Sequence, residues 1–341
     1  MGTAVPTHCP YCALQCAMTL TAPDGEITAL DGGTPTVPTV QGRDFPTNRG
    51  GLCRKGWSAA DLLQHPDRVT EPLLRGPDGE LHRVSWDTAL TTIRDRVLAA
   101  QERYGMDAVG VFGGGGLTNE KAYTLGKFAR VALGTSRIDY NGRFCMSSAA
   151  AAGNRAFGVD RGLPFPLEDL GTAGAVLLLG SNTADTMPPF VQHLRAAQAA
   201  GGLIVVDPRR SATARLTDDR LGHHLQPTPG TDLALLLGLA HVLVTEQLTD
   251  TDYLRERTHG VREIIASVAS WWPERVAGIT GVPASSIRAT ARLLAAAAAP
   301  AGRVGLERTS SPAAAWNSTP MEPTPPPPRS TSHSSWACRD A

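Results

Sequence analysis

The spacing Cys9-x2-Cys12-x3-Cys16-x36-Cys53 constrains this chain more than any other feature. Three thiols fall within eight residues, in "THCPYCALQC", and a fourth arrives alone in "GGLCRKGW". Four thiolates can bind tetrahedral zinc or an iron–sulfur cluster. Zinc sites usually come as two separated pairs. Here three ligands crowd one loop and the fourth comes from far along the chain. A [4Fe–4S] cubane has iron at four of its eight corners, so a tight loop can reach three irons and a distant residue the fourth. Spacing favours a [4Fe–4S] cluster and leaves zinc and unmetallated structural thiols open.

Composition narrows the compartment. The chain has 341 residues, enough for two domains, and 42% are apolar, enough for a core. Formal net charge is zero, so no basic excess points to nucleic acid and no acidic excess to a solvating tail. The longest uncharged apolar stretch, Leu233 to Thr245, is too short for a membrane span. The N-terminus has no basic and apolar leader pattern and no twin arginine, which predicts a cytoplasmic protein. Thiols there stay reduced, so clustered cysteines favour a metal over disulfides.

Residues 1–65 are rich in Gly, Pro and Thr with short strand-like pieces such as "EITALDGG", suiting a small loop-and-strand module. From residue 66 to about 300 the pattern becomes alternating strand and helix. "SWDTALTTIRDRVLAAQERYG" has a Ser85 cap, helical apolar spacing and a glycine stop. "DAVGVFGGGG" predicts a buried strand and "NEKAYTLGKFARVALGT" a second amphipathic helix. "AGAVLLLGSN", "MPPFVQHLRAAQAAGG" and "LIVVDPRR" read as strand, helix, strand. "TDLALLLGLAHVLVTEQL" reads as a helix capped by Thr231 or Asp232. The alternation predicts an α/β fold with a doubly wound, largely parallel sheet. Ligands of such sheets sit at the carboxyl ends of strands, where "GSNTAD" and "DPRR" fall. Residues 301–341 are dense in Pro, Ser and Thr and predict a disordered tail.

Two residues outside the cysteine spacing are ambiguous alone. Lys55 is either a solvated surface lysine or a cation beside the metal centre. Cys145, in "YNGRFCMSSAAAA", is either an inert core thiol or a soft ligand to a transition metal. It precedes small residues able to start a helix, whose N-terminus would lower its pKa. Cys338 reads as an exposed free thiol without a partner pattern.

"HCPYCALQC" with "GLCRKGW" resembles the cluster module of the prokaryotic molybdopterin oxidoreductases, which include nitrate reductases and formate dehydrogenases. The resemblance runs on through "RVSWDTAL", "GTSRIDYNGRFCMSSA", "LLLGSNTADTMPP", "VVDPRRSATA" and "PTPGTDLALLLGLAH", covering residues 7 to about 299. It implies that Cys9, Cys12, Cys16 and Cys53 bind a [4Fe–4S] cluster and that Lys55 lies between that cluster and a pterin. It implies Cys145 as the protein ligand of molybdenum, which the family holds by two molybdopterin guanine dinucleotides. It implies that Gly180, Ser181, Asn182, Asp207, Arg209, Pro229, Gly230, Thr231 and Asp232 hold a guanine dinucleotide. Chemistry supports several of these. Asp207 can accept from guanine N–H groups, Arg209 can take a phosphate in bidentate fashion, and the turn before Asp232 offers backbone N–H groups to an anion. Asp232 as a plain helix cap and Arg210 as a surface charge are the bland alternatives.

The residue after the metal ligand separates the branches. Formate dehydrogenases of this group place a histidine there; this chain has Met146, and "CMSSA" looks like the nitrate reductases. The closest match by this reading is the cytoplasmic assimilatory nitrate reductases, implying nitrate as substrate. Arg143 is a candidate for attracting the anion or supporting the site. Ferredoxin, flavodoxin or an NADH-oxidising flavoprotein are all compatible electron donors; neither nucleic acid nor membrane is an expected partner. The chain is shorter than the family's catalytic chains, and the composition shift after "LLAAAAAP" resembles an out-of-frame tail on a truncated product. Such a product is expected to hold the cluster without the complete molybdenum cofactor and to reduce no nitrate alone. A formate dehydrogenase-like enzyme and a non-catalytic electron-transfer protein using residues 1–65 are the alternatives.

Overall fold

A computed structural model of the chain describes residues 3–22, 37–159, 165–218 and 222–298. The strand expected in "EITALDGG", the tail from residue 301 and Cys338 lie outside the described residues. The chain forms two compact units, Met1–Gly171 with Ala175–Pro227, and Thr172–Gly174 with Thr228–Ala341. The stretch 1–65 lies within the first unit, and the division by compactness falls after Pro227.

The first unit opens with three antiparallel strands in the order β1 (Ala4–His8), β2 (Ala17–Thr21), β3 (Thr39–Gly42). His8 pairs with Ala17, so residues 9–16 form a loop closed at its base. A single helical turn, α1 (Arg54–Trp57), follows Cys53. β4 (Leu73–Arg75) and β5 (Leu81–Arg83) make a hairpin.

Alternation of strand and helix then begins. α2 (Trp86–Tyr104) starts where Ser85 Oγ accepts the Thr88 N–H at 3.1 Å and stops at Gly105, as its sequence predicts. β6 (Val111–Gly113), α3 (Asn119–Lys127) with a π-helical turn at Phe128–Ala132, β7 (Ile138–Tyr140) and α4 (Asn141–Phe157) follow. β6 and β7 pair in parallel. β6 was expected to be buried, and it is not: Phe112 is 65% exposed. A two-stranded ribbon leaves one face without a neighbouring layer. Trp86, Leu90 and Ile93 form an i, i+4, i+7 stripe on α2 and are likewise exposed.

The second parallel sheet is the best-packed part of the unit. It comprises β8 (Val176–Leu179), β9 (Leu203–Val206) and β10 (His223–Leu225), in the order β10-β9-β8. α5 (Thr183–Thr186) and α6 (Val191–Ala199) connect β8 to β9. All four residues of β9 are buried, because a central parallel strand covered on both faces must be apolar throughout. Leu194 of α6 packs with Leu203 and Val205 of β9 and with Ala214 beyond it. The parallel α/β architecture read from the sequence is therefore present, divided between two small sheets.

The second unit contains α7 (Asp232–Thr245), α8 (Thr251–Arg257), α9 (Val261–Val268), α10 (Pro273–Thr280) and α11 (Ala284–Ala298). α7 buries Ala234, Leu235, Leu239 and Val242 against α10 and α11. His241, inside that apolar helix, is satisfied by donating Nδ1–H to the Val268 carbonyl at 2.9 Å.

Candidate functional site

The cysteine loop is built by the β1–β2 pairing. Cys9 N–H donates to the Cys16 carbonyl at 2.8 Å, and Gln15, at φ 46°, donates to the Cys12 carbonyl at 3.1 Å. Cys53 is the N-cap of α1, its carbonyl accepting from Trp57 N–H at 3.0 Å. Cys9, Cys12, Cys16 and Cys53 all line one cavity of about 260 Å³, together with Tyr11 and Lys55. None of the four is in a disulfide. Leu52, Leu167, Met187 and Phe190 pack around the loop and shield it.

Electrostatics bear on what such a cavity can hold. The Cys16 thiol is pushed up to about 11, first by burial and then by the neighbouring charges of Cys12, Cys9 and Cys53. Cys9 is raised by burial first, opposed by a backbone hydrogen bond at Tyr11, with Cys12 and Cys53 adding to the rise. Thiolates this close repel one another until a cationic centre sits among them. Among the described residues no group of three or more His, Cys, Asp or Glu side chains is drawn closely enough together to hold a metal ion. Four cysteines nevertheless surround one void. A zinc ion would need every sulfur about 2.3 Å from a single point. A polynuclear cluster instead fills a volume and meets each sulfur at a separate corner, and the cavity suits that.

At the sheet edge, Leu179 of β8 pairs with Val206 of β9, which places Gly180 and Asp207 side by side. Gly180 has φ 60°, a value that favours glycine, and donates N–H to the Val206 carbonyl at 2.8 Å. Asn182 Oδ1 accepts from Thr213 N–H at 3.2 Å and Thr213 Oγ1–H at 3.0 Å. Its Nδ2 donates to Asp185 at 2.8 Å, and Thr213 Oγ1 accepts from Ala184 N–H at 2.9 Å. Asp207 is 5% exposed; its Oδ1 accepts the Arg209 N–H at 2.8 Å. His224 of β10 donates to the Asp207 carbonyl at 2.9 Å. Ser181 is half-buried and the Arg209 side chain is exposed. Arg210 pairs with Asp218 at 2.7 Å, matching its reading as a surface charge.

Pro229, Gly230, Thr231 and Asp232 belong to the second unit. Gly230 has φ 85°. Thr231 occupies the N-cap of α7, yet its hydroxyl does not cap: it donates to the Thr228 carbonyl at 2.6 Å. The local turn wins the hydroxyl, which leaves the first-turn N–H groups of α7 to other acceptors. Asp232 is the first helical residue.

Cys145 is exposed, which removes its reading as a buried core thiol. It also sits differently from its expected place before a helix. α4 begins at Asn141, so Cys145 is its fifth residue, past the first turn where a helix N-terminus acts. Met146 is half-buried beside it. Arg143 pairs with Asp139 at 2.5 Å, and Asn141 accepts the Gly115 N–H at 3.1 Å, tying the glycine run after β6 to α4. Cys145, Met146 and Arg143 are not among the residues lining the four-cysteine cavity, whereas Lys55 is.

An antiparallel module enclosing four cysteines, beside parallel strands with polar residues at their carboxyl ends, defines an iron–sulfur protein with a nucleotide-type α/β fold. Residues 3–65 match the Fe4S4 domain model of the molybdopterin oxidoreductases, and residues 68–318 match the molybdopterin oxidoreductase model itself. The chain belongs to the molybdopterin oxidoreductase family; a [4Fe–4S] cluster and a molybdopterin are the cofactors that go with it. It is 41% identical over 286 residues to the assimilatory nitrate reductase catalytic subunit of Bacillus subtilis (strain 168), covering 84% of this chain and 39% of that protein. It is 34% identical over 300 residues to formate dehydrogenase H of Escherichia coli (strain K12), covering 86% and 40%. The solved structure of acetylene hydratase from Pelobacter acetylenicus matches with a TM-score of 0.67 and 27% identity, over 84% of this chain and 38% of that one. The chain thus spans about two fifths of the length of these relatives.

Proposed function

We propose that this chain serves a cytoplasmic, assimilatory reduction of nitrate to nitrite. The observation that carries the reading is Met146, which directly follows Cys145 on α4. A thioether cannot take a proton, so this position lacks the base that removing hydrogen from formate calls for. Oxygen-atom acceptance needs no such base. The 41% identity to a nitrate reductase supports the same branch. Nitrate takes up two electrons and two protons, one N–O bond breaks, and nitrite and water leave. When bound, the molybdenum cofactor supplies the oxygen-atom transfer and the cluster supplies electrons singly.

The chain's own residues have separable tasks in this scheme. Cys9, Cys12, Cys16 and Cys53 hold the cluster, and Lys55 lends its cavity positive charge. Cys145 offers a thiolate to molybdenum, and Arg143 supports the start of α4 through Asp139. Gly180, Ser181, Asn182, Asp207 and Arg209 bind dinucleotide at the sheet edge, with Pro229, Gly230, Thr231 and Asp232 offering a further anion-binding turn. Ferredoxin, flavodoxin or a flavoprotein subunit delivers electrons.

The test is anaerobic purification of the chain, analysis of iron, sulfide, zinc and molybdenum, and assay with a reduced viologen against nitrate and formate. The chain by itself is expected to hold iron and sulfide near four each and to reduce no nitrate, whereas a version extended to the relatives' full length and loaded with molybdenum is expected to consume nitrate and leave formate inert. Formate oxidation without nitrate reduction would move the chain to the other branch. Zinc in place of iron would remove the cluster assignment.

A further inference from the structure

We infer that Asn48 is a positioning residue for the cluster, setting the placement of Cys53 relative to the Cys9–Cys16 loop. The inference rests on the four-cysteine ligand assignment above. Cys16 and Cys53 are separated by a long stretch of chain, so something other than local sequence must hold them in one cavity. Asn48 does this with a side chain only 2% exposed. Its Oδ1 accepts the N–H of Ala17, the residue after Cys16, at 3.0 Å. Its Nδ2 donates to the carbonyls of Ala17 at 3.2 Å, Arg43 at 3.1 Å and Gly51 at 2.9 Å. Gly51 lies two residues before Cys53. One amide therefore joins the exit of the first cysteine loop to the approach of the fourth ligand. Two N–H bonds serve three carbonyls, so the amide is saturated and cannot turn.

The turn bearing Asn48 is fastened from both sides. At Gly42, a Cβ would stand 2.1 Å from the Gly50 carbonyl oxygen, so only glycine lets β3 approach the turn. From α6, Gln192 Nε2 and His193 Nε2 each donate to the Thr47 carbonyl at 3.2 Å. His193 is fully buried. α6 thus reaches the cluster module at the carbonyl of the Thr47–Asn48 peptide, inside the first unit.

The experiment compares the full chain with Asn48→Leu, Asn48→Asp, Cys53→Ser and Val205→Ala. Leucine keeps the volume and loses every bond; aspartate keeps the acceptor for Ala17 and loses the donors. Val205→Ala weakens the same unit through the apolar cluster of β9, and Val205 itself is not among the residues packed on the cysteine loop. Readouts are iron per chain, the EPR line shape of the reduced cluster, the rate of iron loss to a chelator, and the thermal midpoint. Asn48→Leu and Asn48→Asp are expected to shift the g-values and lose iron about ten- to a hundredfold faster. Val205→Ala, with a similar thermal midpoint, is expected to keep the wild-type signal and rate. Should Asn48→Leu fail to fold, Asn48→Asp carries the comparison. Wild-type EPR and iron loss in the Asn48 variants overturn the inference, as does equal iron loss in Val205→Ala. Cys53→Ser separates the two ideas: a full wild-type cluster in that variant removes the ligand assignment itself.

Discussion

Asp107 illustrates how single side chains fasten this molecule. Its Oδ1 accepts from Thr135 Oγ1–H at 2.9 Å and from Ser136 N–H at 3.0 Å, anchoring the loop that leads into β7. The backbone bond from Ser136 comes first, then Thr135 and the Arg137 charge, in holding its carboxyl below the usual range. A carboxyl with a depressed folded pKa contributes stability above its unfolded pKa. That contribution is lost as pH falls through the folded value. Asp107→Ala is therefore expected to lower the thermal midpoint at neutral pH and to converge with wild type in acid, measured by melting curves across that range. Burial allows a second expectation. Cys9 and Cys16 are 5% and 4% exposed, while Cys145 is exposed on α4. An alkylating reagent on the folded, cluster-free chain should label Cys145 well before Cys9 or Cys16. Mass spectrometry of timed samples reads this, and equal labelling would deny the packing of the cysteine loop.

At the scale of elements, ends and joints matter more than lengths. Ser85→Ala removes the cap of α2 and is expected to cost about 1 kcal/mol in chemical denaturation. Thr213 is fully buried and links Asn182, after β8, to Ala184 of α5 and to its own turn after β9. Thr213→Val keeps the shape, takes the acceptor from the Ala184 N–H and leaves Asn182 Oδ1 only the backbone donor of residue 213, with an expected loss of about 1–3 kcal/mol. A proposed dinucleotide edge held this way is stiff before any ligand arrives. The elements themselves were mostly legible. Ser85 and Gly105 mark α2, and the apolar runs "VLLL" and "LIVV" are β8 and β9. β6 was misjudged because an apolar run predicts burial only where a layer exists to cover it. Cys145 was misplaced because the residue at the N-cap of α4 is Tyr140, not a capping type, while Asn141 is already the first helical residue.

For the whole molecule, exposure is the dominant fact. Trp86, Tyr123, Val131, Phe144 and Phe157 of the first unit are each more than 65% exposed. Apolar surface of this kind binds other apolar surface. The chain is expected to bind a hydrophobic fluorescent dye while its near-ultraviolet circular dichroism stays native. Trp86→Ser with Phe144→Ser should lower that fluorescence; no change would mean the faces are covered in solution. Among the described residues no helix is long and apolar enough to cross a membrane.

The chemistry of the cluster module was readable from order and type alone. Four cysteines at that spacing make the proposed ligand set, because thiolate chemistry belongs to the residue, and the fold brings all four to one cavity. The alternation of "VLLL" and "LIVV" with helical segments likewise pointed to a parallel sheet, since such alternation is written in residue order, whereas burial waited on a covering layer. Nothing in "FPTNRGGLC" marks Asn48, nor does any spacing mark Thr213, His193 or His224. Each acts on a backbone group many residues away, and such pairings exist only once strands and turns have been brought together. Which thiols are buried and which stay in solvent was decided there too, by the layers that cover the cysteine loop and leave α4 open.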